Sequence, residues 1–291
     1  MNNYSTKITN IHNLLTNSDS IVIGAGSGLS TAAGMTYSGA RFEKYFPDFA
    51  KKYGITDMYS GGFYPFENTE TYWAYWSRNI WVNRYIPAPK DTYRKLLQLV
   101  KDKNYFVITT NVDHQFQKAG FSKNRLFYTQ GDYGLFQKKN NDGKTYDNYS
   151  LVKQMILSQG FEIGQNNELI IPKNGIKTKI SSKLAIEANQ YIKNLREDDN
   201  FLEDDGWHQA AQNYQHFLED NSDKKVVYFE IGVGMNTPGI IKYPFWKFTY
   251  NNPQAHFITI DTQKPFYPEE IAPKSISVEA DINDVLNDLV K

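Results

Sequence analysis

The chain has 291 residues, 40% hydrophobic and 22% charged, and its 32 Lys plus Arg balance 32 Asp plus Glu for a formal net charge of zero. Such a chain has enough apolar material for a sizeable core, is not disordered or fibrous over most of its length, and lacks the basic excess of a dedicated nucleic-acid binder. Cysteine is absent, which excludes disulfides, thiolate-held zinc, iron–sulfur clusters and a catalytic thiol.

In chain order, the opening MNNYSTKITNIHNLL lacks the apolar stretch and small-residue cleavage site of a secretory signal. No apolar run approaches the roughly 20 residues that span a bilayer. A cytoplasmic protein that meets neither membrane nor nucleic acid is expected. Residues 20–24 read as a buried parallel strand that runs into the glycine turn Gly24-Ala25-Gly26-Ser27-Gly28, after which residues 29–33 open a helix. Residues 41–88 are crowded with aromatics, and the spacing of Tyr72, Trp73, Tyr75, Trp76, Trp81 and Tyr85 predicts a long helix over 67–85. An amphipathic helix over 91–101 follows, with Tyr93, Leu96, Leu97 and Val100 on one face, then a second strand over 105–109. Thr110-Asn111-Val112-Asp113 leads into a short helix ending at Ala119-Gly120, and Leu126-Phe127-Tyr128 is a third strand that stops at Gln130-Gly131.

Residues 138–205 change character. They are rich in Lys, Asn and Asp and end in two acidic runs, 197–199 and 203–205, read as solvated loop on an inserted, peripheral module. A helix over 206–220, a strand over 226–231 capped by Gly232-Val233-Gly234, strands over 256–261 and 275–278, and a closing helix over 281–290 complete the pattern. Strands alternating with helices give an α/β fold, a Rossmann-like parallel sheet with helices on both faces. Residues 1–40, 88–137 and 206–291 form this domain in the reading, and 41–87 with 138–205 form a smaller helical and insertion module without zinc.

In an open parallel sheet, ligands bind beyond the carboxyl ends of the strands. Here those ends carry Gly24–Ser27, Thr110–Asp113, Thr129-Gln130-Gly131-Asp132, Gly232–Asn236 and Asp261-Thr262, all small or polar. A glycine turn opening a helix suits a pyrophosphate, because backbone N–H groups and the helix dipole face the anion. The dinucleotide fingerprint G-x-G-x-x-G is broken by Leu29, and no Lys-Ser/Thr follows the glycines, so neither an ordinary dehydrogenase nor a P-loop fits. Asn111 and Asp113 suit helix capping as well as a site, and the two roles are compatible. His114 is set aside as a base, since one step along a helix would turn it away from Asp113. His208 and His216 lack further ligands and read as ordinary surface or core residues.

With these motifs in order, the chain resembles a sirtuin. Gly24-Ala25-Gly26-Ser27-Gly28-Leu29-Ser30-Thr31-Ala32-Ala33-Gly34 matches the family's G-A-G-S/I-S-x-x-x-G. Thr109-Thr110-Asn111-Val112-Asp113 matches T-Q-N-I-D, Gly232-Val233-Gly234 matches G-T-S, and Ile260-Asp261 matches I-N. Three departures stand out. Gln130-Gly131 takes the place of the catalytic His-Gly, the insertion has no zinc cysteines, and Arg41-Phe42-Glu43-Lys44 replaces P-D-F-R. Together they resemble the macrodomain-linked microbial sirtuins, whose members are protein ADP-ribosyltransferases acting on a lipoylated glycine-cleavage H-like carrier protein.

The resemblance implies NAD as cofactor and Asn111, Gln130 and Asp113 as catalytic residues. It implies NAD contacts from Gly24, Ala25, Gly26, Ser27, Ser30, Gly34, Arg41, Phe42, Thr110, Gly232, Val233, Gly234, Asn236, Asp261, Asp281 and Ile282. No metal is implied. The implied partners are a protein acceptor and a macrodomain protein that reverses the modification. Deacylation needs a base to take a proton from a ribose hydroxyl, a task that suits histidine. Glutamine can orient the hydroxyl but cannot take its proton. Two rival readings stand beside the transferase: an NAD or ADP-ribose sensor without turnover, and a weak NAD-dependent deacylase or NAD glycohydrolase.

Overall fold

A computed structural model describes residues 2–291. Met1, where the leader reading begins, lies outside the described residues. The strands in chain order are β1 (Ser20–Ala25), β2 (Tyr105–Thr109), β3 (Leu126–Tyr128), β4 (Gly131–Lys138), β5 (Thr145–Asp147), β6 (Glu162–Ile163), β7 (Leu169–Ile170), β8 (Tyr191–Leu195), β9 (Val226–Ile231), β10 (His256–Asp261) and β11 (Ser275–Glu279). Six of them form one sheet in the order β11-β10-β9-β1-β2-β3, with every pairing parallel. The strand order reverses at β1, which lies between β2 and β9, and that reversal is the crevice where open α/β sheets hold ligands.

Period-2 alternation explains why both faces of this sheet are covered. Ile21, Ile23, Val227 and Phe229 point into one buried cluster, whereas Val22, Val226 and Tyr228 point into another. On the first face pack the helices Asn2–Asn17, Thr92–Val100 and Ile282–Leu289. Ile282, Val285, Leu286 and Leu289, at i, i+3, i+4 and i+7, are all buried there. Each is worth up to about 1.5–3 kcal/mol of transfer free energy. Asp205–Asp220 and Lys242–Asn251 cover the other face.

Residues 138–205 are less peripheral than their composition suggests. Val152, Met155, Ile156, Phe161, Leu169, Ile180 and Leu184 share one buried cluster with Phe42, Phe46, Phe49, Trp73, Tyr75 and Trp81. Apolar residues scattered among Lys and Asn meet only when the chain folds back, so local composition hides them. β4 pairs only with β5 and β8, in an antiparallel sheet. Residues 131–137 therefore sit with the small module by hydrogen bonding. The acidic runs are also engaged: Asp204 accepts from Trp207 N and caps its helix, and Glu197 pairs with Lys193 (2.7 Å).

The long helix expected over 67–85 divides in two. Asn68 caps Thr69–Ile80 by accepting from Thr71 N, and a π-helical turn, Trp81–Tyr85, follows. Such turns re-aim side chains; this one carries Arg84, whose guanidinium reaches Asp132 at the base of β4 (2.6 Å). Among the described residues, no helix is long and apolar enough to cross a membrane, and no three His, Asp or Glu are grouped to hold a metal ion.

Candidate active site at the sheet rim

Four strand ends are laced together at one rim. Gly26 N donates to Ile231 O (3.1 Å), Thr110 N to Ala25 O (3.1 Å) and Thr129 N to Thr109 O (3.0 Å). The glycines exist for this approach. A Cβ on Gly26 would meet Gly232 O at 2.5 Å, one on Gly28 would meet Gly232 Cα at 2.6 Å, and Gly232 itself has φ +60°. The glycine turn and the Gly232–Gly234 motif are thus one structural feature seen from two strands. Gly28 N is already committed to Gly232 O (3.0 Å), so part of the donor set expected to face an anion laces β1 to β9 instead.

Asn111 stands at the centre of a polar network. Its Nδ2 donates to Gly26 O (2.9 Å), Ser30 Oγ (3.1 Å) and Tyr93 OH (3.2 Å), and its Oδ1 has no partner among the described residues. Ser30 Oγ donates to Asp113 Oδ2 (2.5 Å) and lies 2.7 Å from Tyr93 OH. Asp113 Oδ1 accepts from Gln115 N (3.1 Å), so it does the capping expected of it while facing the network. Burial pushes the Asp113 carboxyl above its usual range, and the bonds from Ser30 and Gln115 pull it part of the way back. An amide clamped this way presents one oriented acceptor, suited to a ribose hydroxyl or a water.

Thr109 of β2 pairs in register with Tyr128 of β3. Asn111 and Gln130 are each the second residue beyond that pair, so they project from adjacent strand ends, which in a sheet lie roughly 4.8 Å apart. The Gln130 carbonyl accepts from Arg196 N (3.1 Å), while its side-chain amide makes no hydrogen bond to the described residues. Close by, Asp132 accepts from Arg84 Nε (2.6 Å) and Gly134 N (2.7 Å) and bonds His114 Nδ1 (2.5 Å). Burial would raise this carboxyl too, but the His114 hydrogen bond and the Arg84 charge outweigh it and hold Asp132 below its usual range. His114 is not turned away by a helix. It sits just before Gln115–Ala119 with φ 64° and ψ 17°, which aims its ring at Asp132.

The remaining expected residues spread along the rim or leave it. Gly34 and Thr110 border the turn, while Gly234 and Asn236 are exposed in the loop after β9 and Val233 is buried. Asp261 accepts from Gln263 N (2.9 Å), and Asp281 accepts from Asp284 N (3.1 Å) as the cap of the closing helix. The side chains of Phe42 and Ile282 are packed inside cores, and Arg41 is bound to Val82 O, Asn83 Oδ1 and Thr36 O. Sequence reasoning missed Tyr93, filed as one face of a helix, and also Asp132 and Arg84. Only Asp132 carried a signal, its place directly after Gln130-Gly131.

No protein-family model matches the chain. A Staphylococcus aureus protein named "Protein ADP-ribosyltransferase" is 34% identical over 270 residues, covering 92% of this chain and 82% of that protein. A Fusarium oxysporum f. sp. cubense protein named "Probable bifunctional ADP-ribose hydrolase/ADP-ribosyltransferase" is 27% identical over 241 residues, which is 79% of this chain but 38% of the fungal protein. Among solved structures, a Sir2 enzyme superposes with a TM-score of 0.56 at 15% identity, covering 98% of this chain and 97% of its own. A Sir2 complex with a deacetylated p53 peptide and 3′-O-acetyl ADP-ribose gives 0.52 at 14% identity, covering 97% and 96%. At such identities the two structures establish a shared fold.

Proposed function

Since the chain belongs to the sirtuin-family protein ADP-ribosyltransferases, we propose that it binds NAD along the β9–β1–β2–β3 rim and transfers the ADP-ribosyl group to a carrier protein. By the resemblance, that acceptor is a lipoylated glycine-cleavage H-like protein. NAD is the substrate and supplies the group transferred. The fit rests on two rim groups left without a partner among the described residues, Asn111 Oδ1 and the Gln130 side-chain amide. In this reading Asn111 holds a ribose hydroxyl or water through Oδ1 beside the bond that breaks. Asp113 fixes Ser30, and Ser30 fixes Asn111. Gln130 orients a ribose hydroxyl. The pyrophosphate lies over the Gly26–Gly28 turn, with Gly234, Asn236 and Asp261 toward the adenosine end.

The observation that carries the reading is the clamped Asn111, one short network from Gly26, with a glutamine where the deacylating relatives are described as having histidine. That pairing favours glycosidic cleavage and transfer over deacylation. The fungal relative's bifunctional name also supports a counterpart hydrolase, a macrodomain protein, that removes the modification. The test is incubation with isotopically labelled NAD and the lipoylated carrier, an acetylated peptide serving as control, followed by mass spectrometry of both. The reading expects label on the carrier and an unchanged peptide. A deacetylated peptide with an unlabelled carrier would overturn it.

A further inference from the structure

His114 is the one residue of the described chain other than glycine and asparagine with a left-handed backbone; Asn141, Asn166 and Asn167 share the conformation. Asparagine tolerates that region, whereas histidine is held there at a cost in backbone strain. The geometry that holds it is specific. Tyr133 N donates to Val112 O (2.8 Å) and zips the loop after β2 to the start of β4, which sets His114 Nδ1 2.5 Å from Asp132 Oδ2. The carboxylate is fixed in turn by Arg84 Nε and Gly134 N. A Cβ on Gly134 would meet Arg84 Nε at 2.7 Å, so a glycine is needed for that guanidinium to arrive. An ionised Asp132 keeps the imidazole proton on Nδ1 and leaves the lone pair on Nε2. Nε2 has no partner among the described residues, and 28% of the side chain is exposed at the rim, next in sequence to Asp113. A base, an orienting carboxylate and a cation supporting that carboxylate form the pattern that activates nucleophiles.

We propose that His114, oriented by Asp132, is the general base that takes the proton of the incoming nucleophile during ADP-ribosyl transfer, an inference that rests on the transferase reading above. The C1′–N1 bond of NAD breaks and its electron pair leaves with nicotinamide, neutralising the pyridinium. The nucleophile's lone pair forms the new bond to C1′, and its proton passes to His114 Nε2 and then to water. Gln130 cannot accept that proton, so the fold supplies a base from the neighbouring strand end. Asp132 acts through His114 and is a positioning residue.

The charged groups facing this dyad are Asp132 on β4, Arg84 on the π-helical turn, and Asp113 and Lys118 on either side of His114. Much of Lys118 is in solvent, yet burial near its ammonium, with Arg84 close by, lowers it to about 8. It is the rival source of a pH profile. The test measures nicotinamide release by the full chain from NAD across pH, with and without the lipoylated carrier, and with azide, an anionic nucleophile that has no proton to give up. His114→Asn keeps the backbone conformation. It is expected to slow hydrolysis and transfer about a hundredfold and to flatten the rise with pH, while azide restores its rate to near that of the unmodified chain. Asp132→Asn is expected to slow both reactions as well, with azide again restoring the rate, because the imidazole is no longer held with Nε2 toward the nucleophile. An unchanged rate and profile in His114→Asn, a profile lost in Lys118→Met instead, or no rescue by azide would each overturn the base. An unmodified chain that releases no nicotinamide in any arm would overturn the transferase reading itself, and the base with it.

Discussion

The two cores of this molecule are built on different principles. The first face of the sheet is largely aliphatic: Ile21, Ile23, Val107, Ile231 and Ile258 are buried there, and each strand is a contiguous run of chain. The small module is aromatic and polar at once. Arg78, fully buried, pairs with Asp48 (2.6 Å), donates to Tyr45 O (2.8 Å) and Gln159 Oε1 (2.7 Å), and lies over the rings of Phe46, Phe49 and Phe161. One side chain thus ties residues 45–49 to residues 159–161 across more than a hundred positions. The sheet draws its order from local runs of sequence, and the module draws its order from long-range links. They meet where Tyr133 N of the module donates to Val112 O in the loop after β2 (2.8 Å).

Breaking the link should show the difference most strongly. Asp48→Ala leaves a buried guanidinium short of its counter-charge and is expected to cost about 3 kcal/mol. Hydrogen exchange should quicken in Thr69–Ile80 and Tyr149–Ser158 while β1, β2 and β9 stay protected; a uniform loss across the sheet would mean the two regions are one cooperative unit. At the rim, Asn111→Ala should slow transfer about a hundredfold, some 2.7 kcal/mol of transition-state stabilisation, with thermal stability little changed. Near-full activity would remove Asn111 from the chemistry.

Asp113→Asn sharpens the comparison from the other side. Burial raises the folded-state pKa of Asp113, so the folded chain holds the proton more tightly than the unfolded chain. The carboxyl's contribution is therefore favourable at low pH and is lost as pH rises through its raised range. Asparagine mimics the protonated form. It should stabilise the chain by about 1 kcal/mol at neutral pH, lose that advantage as pH falls, and still impair transfer. A variant less stable at every pH would show that the ionised carboxylate holds the rim together. Chelators should produce the smallest effect, no change in melting or activity, and a shift with EDTA would reveal a metal site.

The sheet was legible because β1, β2, β9 and β10 are short apolar runs closed by glycine or polar residues, and because the closing helix repeats its apolar residues at 3.6-residue spacing. The rim followed from the strand ends. The module's core was hidden, since Val152, Met155 and Ile156 are diluted by polar neighbours and their partners lie far away in sequence. His114 was misread for a local reason: helical periodicity was extended one residue too far, into a left-handed position fixed by the Tyr133–Val112 hydrogen bond. Asn111 and Asp113 could be picked out from sequence, but the hydroxyl of Tyr93 that bonds Asn111 and Ser30 could not, because its ring also packs against Phe116 like any core aromatic.

The central proposal is that NAD is held and cut at the rim of the sheet. The most direct measurement is a crystal structure of the chain with ADP-ribose bound. The pyrophosphate is expected over the Gly26–Gly28 turn and a hydroxyl of the nicotinamide-side ribose within hydrogen-bond distance of Asn111 Oδ1, with the Gln130 amide beside it. ADP-ribose seated at the opposite end of the strands, or at the rim with that ribose out of reach of Asn111, would contradict it.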